Sequence, residues 1–346
     1  MSDEVIFERY DSTGLVILNR PSALNALTHD MVRALYATLV DWANDPHVRQ
    51  VIVTAAGGKA FSAGGDIRAI WAIGQERYDE AVSFFRDEYR LNALIKRYPK
   101  PYVAFLDGIC MGGGVGISVH GSHRVASEKT VFAMPETGIG FFPDVGGSYV
   151  LSRMPGKSGL YAGLTAARLG QADCAWAGLA THSVESASMD AVLKRLLDGA
   201  DLEKTLAQAS IVPEFSPLQE LASDIDHYFS GSSVAEILAA LEGAGADRKW
   251  ARETHETLLK RAPSSLAITF EEIARARDLS FEECMAMEYR IVSRILQHED
   301  FYEGVRAVIV DKDNAPQWTP RHVTDLDPAV IAEHFKPLGE RELVFD

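Results

Sequence analysis

Two carboxylates stand eight residues apart in the turn-rich segment VFAMPETGIGFFPDVGGSYVLSRMPG. Glu136 follows Pro135, and Asp144 sits between Pro143 and Val145. Glycines and prolines around them let the backbone bend so that either acid faces a pocket. Such a pair can move a proton, attack an activated carbonyl carbon, or orient a substrate hydroxyl or water. Both residues also have ordinary readings, Asp144 as the cap of a helix over Val145–Met154 and Glu136 as a turn residue. A third acid, Glu88, falls within a predicted helix over Tyr78–Lys96, on the apolar stripe of Ala81, Phe84, Phe85, Leu91 and Ile95. A carboxylate on such a stripe pairs with an arginine, meets a polar group of a ligand, or marks where the stripe reaches solvent, because burying it alone is costly.

Carboxylate chemistry on a carbonyl needs donors for the developing negative oxygen, and two glycine clusters offer them. KAFSAGGDIRAI places Gly64, Gly65 and Asp66 just before a predicted helix, and DGICMGGGVGISVH places Gly112–Gly114 after the apolar run PYVAFL. Glycine permits close backbone approach, and the start of a helix leaves amides available to an anion or a polarised oxygen. A simple turn capped by Asp66, or tight packing, would use the same residues. Neither cluster has the GxxxxGK[ST] phosphate loop, and neither makes a dinucleotide fingerprint. His120 and His123 lack metal-ligand spacing, and Ser62, Ser118 and Ser148 lack a nucleophile elbow, so no metal site and no serine hydrolase is expected.

The elements that must hold these residues alternate in kind. Extended runs are predicted at Val5–Arg9, Leu15–Leu18, Val48–Thr54, Tyr102–Leu106, His123–Ala126 and Val131–Ala133, with a Thr28-capped helix over Thr28–Trp42. This pattern predicts an α/β layer. Beyond about residue 155 the chain turns helical, with segments at Ala187–Leu197, Leu218–Tyr228, Ser233–Leu241 and Phe281–His298, joined by polar stretches at Glu242–Asp247 and Ser264–Ser265. The expected organisation is a core over residues 1–200, followed by a helical extension over 201–346.

Composition narrows the partners. The 346 residues carry 34 basic and 49 acidic side chains, a net charge of −15, and are 47% hydrophobic. They bury a core and argue against a broad surface for nucleic acid, although a local basic patch still suits a small phosphate-bearing ligand. Cys110, Cys174 and Cys284 form neither a disulfide framework nor a CxxC pair. With no secretory pattern at the start and no run long enough to span a bilayer, the expectation is a cytoplasmic protein with no membrane partner.

Taken together, FSAGGDI, GICMGGGVG, NRPSALNAL and PETGIGFFPDVGG resemble the crotonase, or enoyl-CoA hydratase/isomerase, superfamily. FFRDEYRLN, FYEGVRAVIVDKDNAPQW and HFKPLGERELVF extend the resemblance along nearly the whole chain, to the 3-hydroxyisobutyryl-CoA hydrolase branch. The resemblance implies a crotonase-like β/α spiral with a C-terminal helical region, an acyl-CoA substrate and a homo-oligomer. No cofactor is implied, CoA being part of the substrate and then a product. It implies an oxyanion hole at Gly65 and Gly113, catalytic carboxylates at Glu136 and Asp144, and substrate binding by Glu88, Gly113, Glu136 and Asp144. The reaction implied is hydrolysis of the thioester to a hydroxy acid and free CoA, a step of valine breakdown. Glu136 acts there either as nucleophile or as base. Gly116 stands where the hydratase pattern has a second catalytic glutamate, and Asp144 where that pattern usually has glycine. Hydratase or isomerase chemistry with a rearranged acid pair, or non-catalytic acyl-CoA binding, are the alternative readings.

Overall fold

The first two extended runs pair with each other. β1 (Val5–Tyr10) and β2 (Thr13–Leu18) form an antiparallel hairpin in which Val5 lies opposite Leu18 and Tyr10 opposite Thr13. β3 (Gln50–Ala55) then lies parallel to β2, and parallel neighbours require a crossover, here the helix His29–Asn44. Thr28 caps that helix as expected, its side chain accepting from Met31 N at 3.2 Å, and Met31, Val32, Leu35 and Leu39 are buried. This is a computed structural model, and it describes residues 3–245 and 247–345.

Six strands follow: β4 (Ala60–Ser62), β5 (Tyr102–Leu106), β6 (Ile109–Met111), β7 (His123–Ala126), β8 (Val131–Ala133) and β9 (His182–Ser183). They sort into a six-stranded sheet, β1-β2-β3-β5-β7-β9, and a three-stranded sheet, β4-β6-β8. Each of β3, β5 and β7 in the larger sheet is followed directly by β4, β6 or β8 in the smaller, so the chain winds as a spiral. Its turns stack: Gly108, at φ +108°, ends the β5–β6 turn, and an added Cβ there would meet the Lys59 carbonyl at 2.6 Å. β5 is buried along its whole length, as a parallel strand covered on both faces must be. Ile52, Val103, Phe105 and Val125 pack with Met189, Val192 and Leu196 of the helix Ser186–Leu197. The α/β expectation holds.

Packing gathers the residues into two compact units that do not follow chain order. One takes the chain up to Asp66, Asp87–Ala133 and Arg168–Gln219, and holds every described strand; the other takes Ile67–Arg86, Met134–Ala167 and the chain from Glu220 onward. The division differs from the expected boundary near residue 200, because Met134–Ala167 buries its apolar side chains with the C-terminal helices. In the second unit Phe141 packs against Phe85, Phe142 and Phe301, with ring centroids 5.6, 4.8 and 5.5 Å away. No described helix is long and apolar enough to cross a membrane.

Several helix ends differ from expectation. Leu218–Tyr228 divides into Pro217–Glu220 and Ala222–Tyr228, and the last long helix is Phe281–Ile295, because His298 takes the N-cap position of the next, Glu299–Val305. Ser264 and Ser265, expected in a connection, lie in the first turn of the helix Pro263–Ala276, where Pro at N1 loses no hydrogen bond.

Candidate active site

In the strand-bearing unit the two glycine loops lie against each other. Gly65 follows β4 and is bridged in parallel to Leu27; Gly113 opens the short helix Gly113–Gly116 after β6. An added Cβ on Gly113 would stand 3.0 Å from Gly65 N and 2.6 Å from Glu88 Oε1. The loops thus approach as closely as they do because residue 113 has no side chain. No acceptor among the described residues takes the amide of Gly65 or of Gly113. Two unclaimed N–H groups side by side form the donor arrangement that a developing oxyanion needs. Glu88, on the second half of the helix Tyr78–Lys96, is 2% exposed and borders Gly113. Of the three settings that sequence allowed for it, the solvent boundary is thereby removed. Asp66 is tied to Arg20 by an ion pair of 3.1 Å.

In the other unit Glu136 and Asp144 are both buried. Glu136 opens a single 3-10 turn, Glu136–Ile139, closed by Gly140 in the left-handed region, and the Glu136 carbonyl accepts from Phe141 N at 3.0 Å. Its Oε2 has no hydrogen-bond partner among the described residues. Burial pushes the Glu136 carboxyl well above the usual carboxylate range; the charge of Asp144 adds to this, while the residue's own amide pulls the other way. Asp144 does not cap the following helix. That helix is Gly147–Leu151 rather than Val145–Met154, and its N-cap is Gly146 at φ +81°, preceded by Val145 at φ +54°.

Two acids that sequence reasoning passed over join this cluster. Glu288 Oε2 accepts from Gly146 N at 2.7 Å, and its Oε1 accepts from Ser148 N at 3.1 Å and Ser148 Oγ at 2.5 Å. Its carboxyl is pushed up to about 8, chiefly by burial, against the pull of those hydrogen bonds. Glu272 is fully buried and neither of its oxygens has a hydrogen-bond partner among the described residues. Burial, then the charges of Glu288, Asp144 and Glu136, push it well above the carboxylate range. Burial and the neighbouring acidic charges thus both favour the protonated forms in this cluster. Both residues sit on apolar stripes, Glu272 with Ile268, Ile273 and Ala276, and Glu288 with Met285, Ile291 and Val292. The criterion that singled out Glu88 would have found them.

His123 bridges Ser122 Oγ and Glu203 and stacks on His182. Among the described residues no group of three or more His, Cys, Asp or Glu is placed to hold a metal ion. The cysteines are buried and free, and burial pushes the Cys110 and Cys284 thiols up to about 12.

Residues 13–335 match the model of a family described as enoyl-CoA hydratase/isomerase. The chain belongs to the enoyl-CoA hydratase/isomerase family. It is 45% identical to the 3-hydroxyisobutyryl-CoA hydrolase, mitochondrial, of Danio rerio, over 98% of this chain and 91% of that protein. A crystal structure described as a carnitinyl-CoA dehydratase from Mycobacterium thermoresistibile superposes with a TM-score of 0.95 at 42% identity, covering 100% of this chain and 99% of the other. A second, described as an enoyl-CoA hydratase from Rhodobacter sphaeroides, gives 0.94 at 37% identity, covering 99% and 100%. The crotonase-like spiral that the motifs implied is the fold of this enoyl-CoA hydratase/isomerase family member, and an acyl-CoA is its class of substrate.

Family membership also brings a correction. The curated relatives at 40–45% identity are mitochondrial proteins, which overturns the expectation of a cytoplasmic location. Free cysteines and the lack of a secretory pattern separate secreted proteins from others, and do not distinguish one reducing compartment from another.

Proposed function

We propose that this chain hydrolyses 3-hydroxyisobutyryl-CoA to 3-hydroxyisobutyrate and free CoA. The observation that carries the reading is the pair of unclaimed amides at Gly65 and Gly113, within a chain similar over nearly its full length to hydrolases of that name. In the proposed reaction those amides polarise the thioester carbonyl and stabilise the tetrahedral oxyanion. Glu136 acts in one of two ways. It attacks the carbonyl carbon, expelling CoA thiolate and leaving a mixed anhydride that water opens, or it takes a proton from water as the water attacks. In both, the carbon–sulfur bond breaks, the thiolate gains a proton and one water is consumed. Asp144 orients the substrate hydroxyl and assists proton movement, while Glu88 forms the polar end of the acyl site. A homo-oligomer is part of the reading.

The solved structures with similar folds are described as a dehydratase and a hydratase, which makes lyase chemistry the competing reading. Gly116, buried in the helix Gly113–Gly116, disfavours it, since alkene hydration in the hydratase pattern uses a second glutamate at that place. Time-resolved mass analysis decides. Incubation with 3-hydroxyisobutyryl-CoA is expected to release free CoA, and Glu136→Gln is expected to lower the rate by roughly 10²-fold or more. Hydration of an enoyl-CoA with its thioester intact, and no CoA release, would reverse the assignment. A transient acyl adduct on the protein identifies the anhydride route; its absence during steady turnover identifies the base.

A further inference from the structure

The backbone beside Asp144 is held in a conformation that its own sequence opposes. Val145 is a buried, β-branched residue at φ +54°, where Cβ crowds the neighbouring carbonyl. Gly146 continues the left-handed turn at φ +81°, and Gly147 N donates to the Asp144 carbonyl at 2.7 Å, so the Asp144 backbone is part of the same turn. No local side chain caps the helix that follows. The restraint comes from 140 residues or more along the chain: the fully buried Glu288 carboxylate accepts from the amides of Gly146 and Ser148 with its two oxygens, and from Ser148 Oγ as well. A glycine at 145 would take this turn without opposition. A strained valine over-determined by a buried acid is the arrangement expected where the direction of a neighbouring side chain matters.

We propose that Glu288 is a positioning residue for thioester hydrolysis. Its two-oxygen clamp holds Val145 in the left-handed region and so aims the Asp144 carboxylate. This inference rests on the role given to Asp144 above. Were Glu288 only a structural cap, its loss would lower stability and leave the turnover of the folded enzyme unchanged.

The test compares the full chain with Glu288→Gln and with Glu288→Gln combined with Val145→Gly, reading kcat and KM for 3-hydroxyisobutyryl-CoA and amide hydrogen exchange over residues 144–148. Glu288→Gln is expected to lower kcat by about 10–100-fold, as a small misplacement of a catalytic group does, with KM changed by less than about threefold. Exchange over 144–148 is expected to rise. Adding Val145→Gly is expected to recover roughly fivefold or more of kcat and to slow that exchange again, because glycine holds the turn unaided. An unchanged kcat in Glu288→Gln, or no recovery in the double variant, overturns the proposal. If Glu288→Gln does not fold, Glu288→Asp takes its place, retaining the carboxyl group on an arm too short to reach both amides. Should the unaltered chain release no CoA, the proposed reaction fails. The clamp then stands or falls on exchange alone, with faster exchange reversed by Val145→Gly supporting it and unchanged exchange rejecting it.

Discussion

Glycine at position 113 is required by what stands against it. An alanine Cβ would lie 2.6 Å from Glu88 Oε1 and 3.0 Å from Gly65 N. The carboxylate is the end of a flexible side chain and can yield, but the backbone amide must move by tenths of an ångström. In the proposed reaction that amide is one of the two offered to the thioester oxygen. Gly113→Ala is therefore expected to leave the chain folded and to lower kcat by about 10²-fold, near the effect of losing one oxyanion donor. Steady-state hydrolysis together with a thermal unfolding midpoint checks this, and full activity would mean that the Gly65 amide takes no part. Gly114→Ala is a different case: its Cβ would meet the Ser62 carbonyl at 2.5 Å, a backbone clash that costs the loop itself. At this scale Gly65, Gly113, Glu136 and Asp144 stand out in sequence because motif spacing marks them, and Glu88 because an acid on an apolar stripe does; the three acids are buried and the two glycine loops lie together, while their roles belong to the proposed reaction. Neither signal shows which amides other acceptors leave unclaimed.

The helix Phe281–Ile295 shows how an element can be stable for one reason and useful for another. Its start is closed by a capping box: Glu283 N donates to Ser280 Oγ at 3.3 Å, and Ser280 N donates to Glu283 Oε2 at 2.8 Å. Ser280→Ala removes one of these bonds and is expected to cost about 1 kcal/mol of stability, read by denaturant unfolding. Glu288 lies two turns further on among buried residues, so kcat is expected to stay within about twofold of the unaltered chain. A large loss of kcat in Ser280→Ala would mean that fraying reaches the Asp144 turn, and would remove the distinction between cap and clamp. Elements of this kind were readable in advance because their determinants are local. Tyr78–Lys96, Tyr102–Leu106, His123–Ala126 and Val131–Ala133 fall where periodicity and β-branched runs predict them. β4 and β6 adjoin the two glycine clusters, so that their segments read as loop. The start of the helix Gly147–Leu151 was misplaced because its capping carboxylate comes from Glu288, a contact that no window along the chain contains.

For the molecule as a whole, the buried acids tie stability to pH in a direction opposite to that of a surface ion pair. Glu272, raised well above the carboxylate range by burial and by its acidic neighbours, keeps its proton in the native state at pH values where the unfolded chain has released it. The native state then binds more protons than the unfolded state, so this contribution to stability is complete below pH about 4.5 and is lost as pH rises toward the elevated native value. Glu288, pushed up to about 8, acts in the same sense. His334, lowered to about 4 by burial, acts in the opposite sense between there and its ordinary value near 6.5, so the pH profile of the unaltered chain alone mixes the two. Comparison with Glu272→Gln isolates the acid, since the histidines and the surface charges are common to both chains. The difference in unfolding free energy, variant minus unaltered chain, is expected to grow from pH 5 to pH 8 by about 1.4 kcal/mol for each unit by which the native value is raised within that window. Denaturant titrations at pH 5, 6.5 and 8 measure it. Parallel stability curves for the two chains would mean that Glu272 ionises in the native state as it does in the unfolded one, and that the acidic cluster finds its protons elsewhere.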